Sequence, residues 1–397
     1  MVCDLKKLAA EYGTPLYIYD AEAVAERMNV LRNALGKTVE IIYAVKANPN
    51  PNVLQFLKPL VDGLDLSSGG EFSYAMHAGY TGKEMSLAGP GKTDQEIAYA
   101  ISNDCGSISI ESLDDLERIV RVAEGLKKKA NVSIRINPLQ LIPKFAMKMG
   151  GKATQFGVDE EAIEPVVACL KYNAAVLNFV GYHIYAGTQC LDADSFKENF
   201  NYIFTMIRKL HNQIQLPIHK INLGGGFGVP YFEGMESLDI QQTGKYLQEE
   251  IASFAKDFPK TKYVIELGRY IIAEAGYYLT SVLAVKSSRD KTFVILDGGM
   301  HHNQSAAGNL GQVIKKNYRI ENLTHHDGPK AKVDLAGCLC TPIDTMGINV
   351  ELPPIKVGDI IAFYNSGAYG YTASPLYFLG HALPQELLIS KGQPWAK

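Results

Sequence analysis

A (β/α)8 barrel of the TIM type, joined to a second, all-β C-terminal domain, is the fold the sequence predicts, and three observations lead to it. From about residue 20 to 270, short β-branched runs alternate with helical patterns, the mark of successive βα units around a parallel sheet. Eight such units fit in that stretch, and ~250 residues is the usual size of a closed barrel. After Arg269 the helical patterns cease and strand-like pieces follow one another.

The eight strands are VEIIYAVKA (39–47), GLDLSS (63–68), MSLAGP (85–90), GSISIES (106–112), NVSIRINP (131–138), NFVGYHIYAG (178–187), HKINLGG (219–225) and YVIELGR (263–269). Between them lie segments such as 112–126, where Ser112 can cap a helix whose Leu113, Leu116, Ile119, Val120 and Ala123 share one face. The predicted barrel covers 21–271. The pieces YYLTSVLAVKSS, KTFVILDGGM, AKVDLAGCLC and GDIIAFYNSG place a β domain over 272–397, which the early strand TPLYIYD, within 1–20, can join.

Composition narrows the function classes. The 397 residues are 47% hydrophobic and 20% charged with a net charge of −3, the profile of a globular protein without the basic balance of a nucleic-acid binder. The N-terminus lacks the apolar stretch of a secretory signal and no run approaches a membrane span, so a cytoplasmic protein is expected. Six cysteines (3, 105, 169, 190, 338, 340) are sparse for this length, and reduced thiols are expected. Cys338-x-Cys340 lacks two further ligands nearby, and the pairs His301-His302 and His325-His326 read as surface or loop residues; no metal is expected.

Polar residues interrupt the apolar strands at one end: Lys46 on the first, Asp65 on the second, Arg135 on the fifth, His183 on the sixth, Gly224, Gly225 and Gly226 on the seventh, and Glu266, Gly268 and Arg269 on the eighth. In a barrel this end carries the active site. Lys46 follows an apolar run, where a buried amine suits Schiff-base chemistry, although a strand-end lysine also reaches solvent easily. The glycine triplet bares backbone amides to a phosphate, or makes a tight turn. His183 can stack on a flat ligand or serve as a core histidine. Glu266 can hold a ring nitrogen protonated or form a structural ion pair. Cys340 is a candidate proton donor or a packing thiol.

The ordered motifs YAVKAN (43–48), GLDLSSGGE (63–71), QFGV (155–158), GYHIYAGTQ (181–189), GGGFG (224–228), ELGR (266–269), CLCTPID (338–344) and NSGAYG (365–370) resemble those of the fold-type III pyridoxal-phosphate decarboxylases, the group of diaminopimelate, ornithine and arginine decarboxylases. The resemblance spans nearly the whole chain. It implies that pyridoxal 5'-phosphate forms a Schiff base on Lys46, that His183 stacks on the ring and that Glu266 pairs with its nitrogen. Gly224, Gly225 and Gly226 would hold the phosphate with Arg269 and Tyr369 assisting, Gly268 would also bind the cofactor, and Asp65, Glu71 and Arg135 would lie around lysine and ring. Cys340 would reach the site of a neighbouring subunit in a head-to-tail homodimer. The substrate would meet Arg269, Cys340, Thr341, Asp344 and Tyr369.

Departures bear on the substrate. Where diaminopimelate decarboxylases carry Glu after the cysteine stands Thr341, and where they hold a distal carboxylate with Arg and Tyr stand Ser305 and Asn309. The ornithine-type acidic partner is also missing. Leu267 replaces a proline and Ala186 a serine common in the family. The CTPxD variant, KMGG (148–151), INLGGGFGVPYF and SPLYFLGH (374–381) resemble the branch acting on conjugated amino acids, including glutamyl groups on an acyl carrier protein and citryl-amino acid siderophore intermediates. Diaminopimelate decarboxylation is the alternative, ahead of an alanine-racemase-like enzyme or a non-catalytic cofactor-binding relative.

Overall fold

Eight parallel strands close on themselves in sequence order. The computed structural model describes residues 4–140, 144–145, 147–148, 150–310, 312 and 315–395. After an N-terminal strand β1 (Leu16–Asp20), the ring consists of β2 (Val39–Ala44), β3 (Gly63–Leu66), β4 (Met85–Leu87), β5 (Ser107–Ile110), β6 (Ala130–Asn137), β7 (Leu177–Ile184), β8 (Lys220–Gly225) and β9 (Lys262–Leu267). Each pairs in parallel with the next, and β9 returns to β2 with Tyr263 opposite Val39. All eight strands expected from sequence form, and all but the seventh, which ends at Gly225 as expected, are shorter than expected at their C-terminal ends. The strands Gly63–Leu66 and Ser107–Ile110 are buried on both faces, as strands of a covered parallel sheet are.

The barrel helices start where side chains can take up orphan amides. Ser68 accepts from the Glu71 amide, Thr93 and Glu96 form a reciprocal capping box, and Ser112 accepts from the Asp115 amide. The helix Leu113–Leu126 buries Leu116, Ile119, Val120 and Ala123 as its spacing requires; Leu113 is only half-buried. Asp115 on the same helix is buried against Lys92, their charges 2.8 Å apart.

The chain forms two compact units: Met28–Val229 with Ser237–Gly268, and Met1–Arg27 with Pro230–Glu236 and Arg269–Lys397. The second is a curled mixed sheet built on β10 (Gly276–Ser288), with β11 (Lys291–Leu296), β12 (Ile320–Asn322), β13 (Ala331–Ala336), β14 (Thr345–Leu352), β15 (Ile360–Phe363) and β16 (Gln385–Ser390). One end of β10 pairs antiparallel with β1 and β15, and its other end with β11. Strand β1 also pairs in parallel with β16. Leu16, Ile18, Leu279, Ala362 and Ile389 meet in one core with Leu5 and Leu8 from the N-terminal helix Leu5–Tyr12. Burying each such leucine contributes ~1.5–3 kcal/mol. Among the described residues, no helix is long and apolar enough to cross a membrane.

Candidate functional site

At the C-terminal ends of the barrel strands, Lys46 occupies the single helical turn Val45–Ala47 that follows β2. Its side chain is 39% exposed, so the burial expected from the preceding apolar run does not hold. The strand ends at Ala44 and the turn lifts the amine out of the layer of core side chains. Lys46 Nζ lies 3.9 Å from Asp65 Oδ2 and 5.6 Å from the centre of the Tyr185 ring. Asp65, the third residue of β3, is buried and accepts from Ser86 Oγ at 3.1 Å. Burial, and then the charge of Glu266, raise the Asp65 carboxyl, while Lys46 pulls it the other way. Glu71, in the first turn of the helix Gly69–His77, is raised by burial although it accepts from the Ser67 amide at 2.6 Å.

Across the barrel mouth His183 on β7 and Glu266 on β9 are both buried, with Nε2 and Oε1 3.3 Å apart. The pair is not aligned for a hydrogen bond, and Nε2 has no hydrogen-bond partner among the described residues. On the other side of the ring, Nδ1 lies 3.0 Å from Ser109 Oγ, which fixes the ring plane. Burial would push Glu266 up, but His183, Lys46 and the amide of Asn222 together hold it below the ordinary carboxylate range. Asn222 donates to Glu266 Oε1 at 2.5 Å and accepts from the Gly224 amide at 3.0 Å, so one side chain ties the carboxylate to the glycine loop. That loop tolerates no side chain: a Cβ on Gly225 would sit 1.8 Å from the Glu266 carbonyl oxygen, and one on Gly226 2.2 Å from that of Gly187. Gly268 is hemmed in by Ala47 and the Ala44 carbonyl.

Arg135 on β6 is buried and paired with Glu111 at 2.8 Å, its guanidinium 4.8 Å from the Phe156 ring centre. Glu111 also accepts from the amides of Gly89 and Gly157. Although buried, it is held below the usual carboxylate range by Arg135 and these bonds. Glu111, Asn222, Ser109 and Tyr185 carried no expectation from sequence. The signal was present for Glu111, which follows the apolar run of the fourth barrel strand as Lys46 follows that of the first.

In the β unit, Arg269 donates to the Tyr231 hydroxyl at 3.0 Å and stacks 4.6 Å from the Tyr369 ring centre, while its buried Nε has no partner among the described residues. Tyr369 adopts φ 54°, a left-handed conformation costly for a tyrosine. Cys340 is exposed and Thr341 half-buried. Asp344, expected to meet substrate, is buried, and its two oxygens accept from the Met300 and Leu339 amides at 2.7 and 2.8 Å. Ser305 donates to the Tyr369 carbonyl and Asn309 to that of Ile343.

His301 and His302 sit in a turn, which agrees with a loop position but not with a surface one, since they are buried where the turn folds under the loop carrying His381 and Ala382. His325 pairs with Asp359 in a loop, and His326 is exposed. Cys3 and Met149 of the KMGG segment lie outside the described residues; the other five cysteines are unpaired.

Residues 21–273 match the family model described as pyridoxal-dependent decarboxylase, pyridoxal binding domain. The chain is 36% identical over 395 residues to the L-glutamyl-[BtrI acyl-carrier protein] decarboxylase of Niallia circulans, covering 98% of this chain and 92% of that protein. It is 31% identical over 401 residues to the diaminopimelate decarboxylase of Aquifex aeolicus, covering 98% and 89%. The crystal structure of a diaminopimelate decarboxylase from M. jannaschii superposes with a TM-score of 0.89 at 28% identity, over 98% of this chain and 89% of that one.

Proposed function

Because the chain belongs to the pyridoxal-dependent decarboxylases, and is on that ground a pyridoxal phosphate-dependent carboxy-lyase acting on amino acids, we propose that its substrate is an amino acid conjugated to a larger group, a glutamyl unit on an acyl carrier protein being the leading case. The observation that carries this reading is the neutral set Thr341, Ser305 and Asn309. Two of these spend their polar groups on carbonyls of their own unit, leaving no charge to receive a substrate's distal carboxylate or amine. A site that reads a distal charge with buried partners rejects analogues lacking it; a site without such partners admits a substituted side chain. The similarity to a carrier-linked glutamyl decarboxylase supports the same reading.

The barrel residues fit the cofactor. Lys46 offers a primary amine, Gly225 and Gly226 offer backbone amides beside the Gly224 amide that Asn222 takes, and His183 offers a flat buried ring with an unsatisfied nitrogen. Glu266, kept ionised, would hold a proton on a ring nitrogen. When bound, pyridoxal phosphate supplies the electron sink that lets a carboxylate leave an α-carbon. Asn222 orients the Glu266 carboxylate, and Ser109 holds His183 against rotation. Asp65 and Glu71 stand near the Lys46 amine as proton partners. Lys46 Nζ or Cys340 Sγ returns a proton to the α-carbon after carbon dioxide departs.

A panel of free diaminopimelate, ornithine, arginine and glutamate beside carrier-linked and citryl-linked amino acids tests the substrate reading. Carbon dioxide should come only from the linked members, and efficient release from free diaminopimelate would establish the alternative. We further propose that the exposed Cys340 serves the site of a second copy in a homodimer. Cys340→Ala should then lower kcat by about 10²-fold with the cofactor still bound. Mixing it with Lys46→Ala should restore activity by forming one intact site per dimer; a mixture no more active than its parts rejects the shared site.

A further inference from the structure

His301, Cys338 and His381 come from three separate segments of the β unit: the turn after β11, the loop after β13 and the loop before β16. One ligating atom from each lies within 4.8 Å of the others, and Cys338 Sγ is 3.7 Å from His381 Nδ1. A zinc ion with ordinary Zn–S and Zn–N bonds in tetrahedral geometry sets a sulfur–nitrogen edge of ~3.6 Å. A second observation is independent of this spacing. His301 is 0% exposed, and both of its ring nitrogens are buried with no hydrogen-bond partner among the described residues. A buried imidazole is ordinarily satisfied on at least one side, and an orphaned one calls for a ligand.

The adjoining histidine behaves differently. His302 Nδ1 is 3.0 Å from the Tyr278 hydroxyl and Nε2 3.0 Å from the Ala382 carbonyl. Nε2–H therefore donates to that carbonyl, and the tyrosine donates to Nδ1. His302 is fully occupied, and it pins the residue next to His381, as an outer-shell partner does for a ligand loop.

The geometry points to a divalent transition-metal site of the zinc class, with His301, Cys338 and His381 as ligands and a fourth position open to water or an anionic group. Two imidazoles and a thiolate suit zinc, whereas an oxygen-rich set would suit magnesium or calcium. Binding forms two metal–nitrogen bonds and one metal–sulfur bond in place of metal–water bonds of the hydrated ion, and the displaced waters and the Cys338 proton pass to solvent. Positions 301, 338 and 381 share no spacing motif, which is why the sequence led to no metal being expected.

The test uses the cofactor-loaded protein, stripped with a chelator and titrated with zinc and with cobalt(II). One equivalent should bind per chain, and cobalt should give a near-ultraviolet sulfur-to-metal band with the visible bands of four-coordination. Cys338→Ser is nearly isosteric and His381 is exposed, so Cys338→Ser and His381→Ala should stay folded by circular dichroism. Each should weaken binding by more than the ~10–100-fold that loss of an outer-shell partner costs. Cys340→Ser should bind as the parent does. No uptake, a cobalt complex without the sulfur band, or binding unchanged in both ligand variants would overturn the site.

Discussion

Replacing Lys46 by alanine is expected to remove carbon dioxide release to within background, a loss of at least ~10²–10⁴-fold, the range for deleting a positioned proton carrier. The loss should exceed that range in practice, because the same side chain is also the amine to which the cofactor would be joined. A structural reading of Lys46 foresees something else. The Lys46 amine lies 3.9 Å from Asp65 and is 39% exposed, so its end of this ion pair reaches solvent, where an ion pair is worth little stability. Thermal stability should therefore hardly change while turnover disappears. The measurement is the absorption spectrum with borohydride reduction and peptide mapping: the parent should show a long-wavelength band and a label on Lys46, and the variant neither. A label elsewhere in the parent would reject this lysine.

Glu111→Gln is expected to act in the opposite manner, through the fold. It would leave the Arg135 guanidinium buried without its carboxylate, which costs ~3–5 kcal/mol when both partners are desolvated, as here with 8% and 2% of the side chains exposed. Gly89 and Gly157 donate to different oxygens of Glu111, so glutamine keeps an acceptor for only one of these amides, and the lost bond adds to the cost of the unpaired charge. The folded protein holds Glu111 below its ordinary range, so the pair's contribution is fully present above the unfolded carboxyl's pKa and fades as pH falls through the lower folded value. Urea unfolding should thus show a wide gap between parent and variant near neutrality and a narrowing gap in acid. A gap that is small at neutral pH would mean water reaches the pair.

The barrel was legible because its strands are buried on both faces and its helices on one, so that period and cap signals stand clear. The 113–126 helix shows this: its face could be read off the spacing of Leu116, Ile119, Val120 and Ala123. Lys46 was identified as a residue but misjudged in burial, since an apolar run does not reveal that the strand stops at Ala44 and turns. Asn222 and Ser109 were illegible for a different reason. Asparagine and serine in strands have no pattern of their own, and their roles exist only once neighbouring strands bring Glu266 and His183 within bonding distance. Burial of His301 and His302 could not be foreseen either, because it is made by a loop eighty positions further along the chain.

The pairing of β1 with β16 sets a timetable for the newborn chain. Leu16 to Asp20 lie in register with Gln385 to Ile389, so the earlier strand waits for a partner made hundreds of residues later. At ~5–20 residues per second the delay is roughly 20–70 s. Throughout it Leu16 and Ile18, which finish fully enclosed, lack their last neighbours. Most barrel strands pair with the strand made next, and only the closing pair of β9 with β2 joins distant parts of the barrel segment. A nascent chain whose barrel has closed would still expose this apolar strand, the segment on which a nascent-chain chaperone would act.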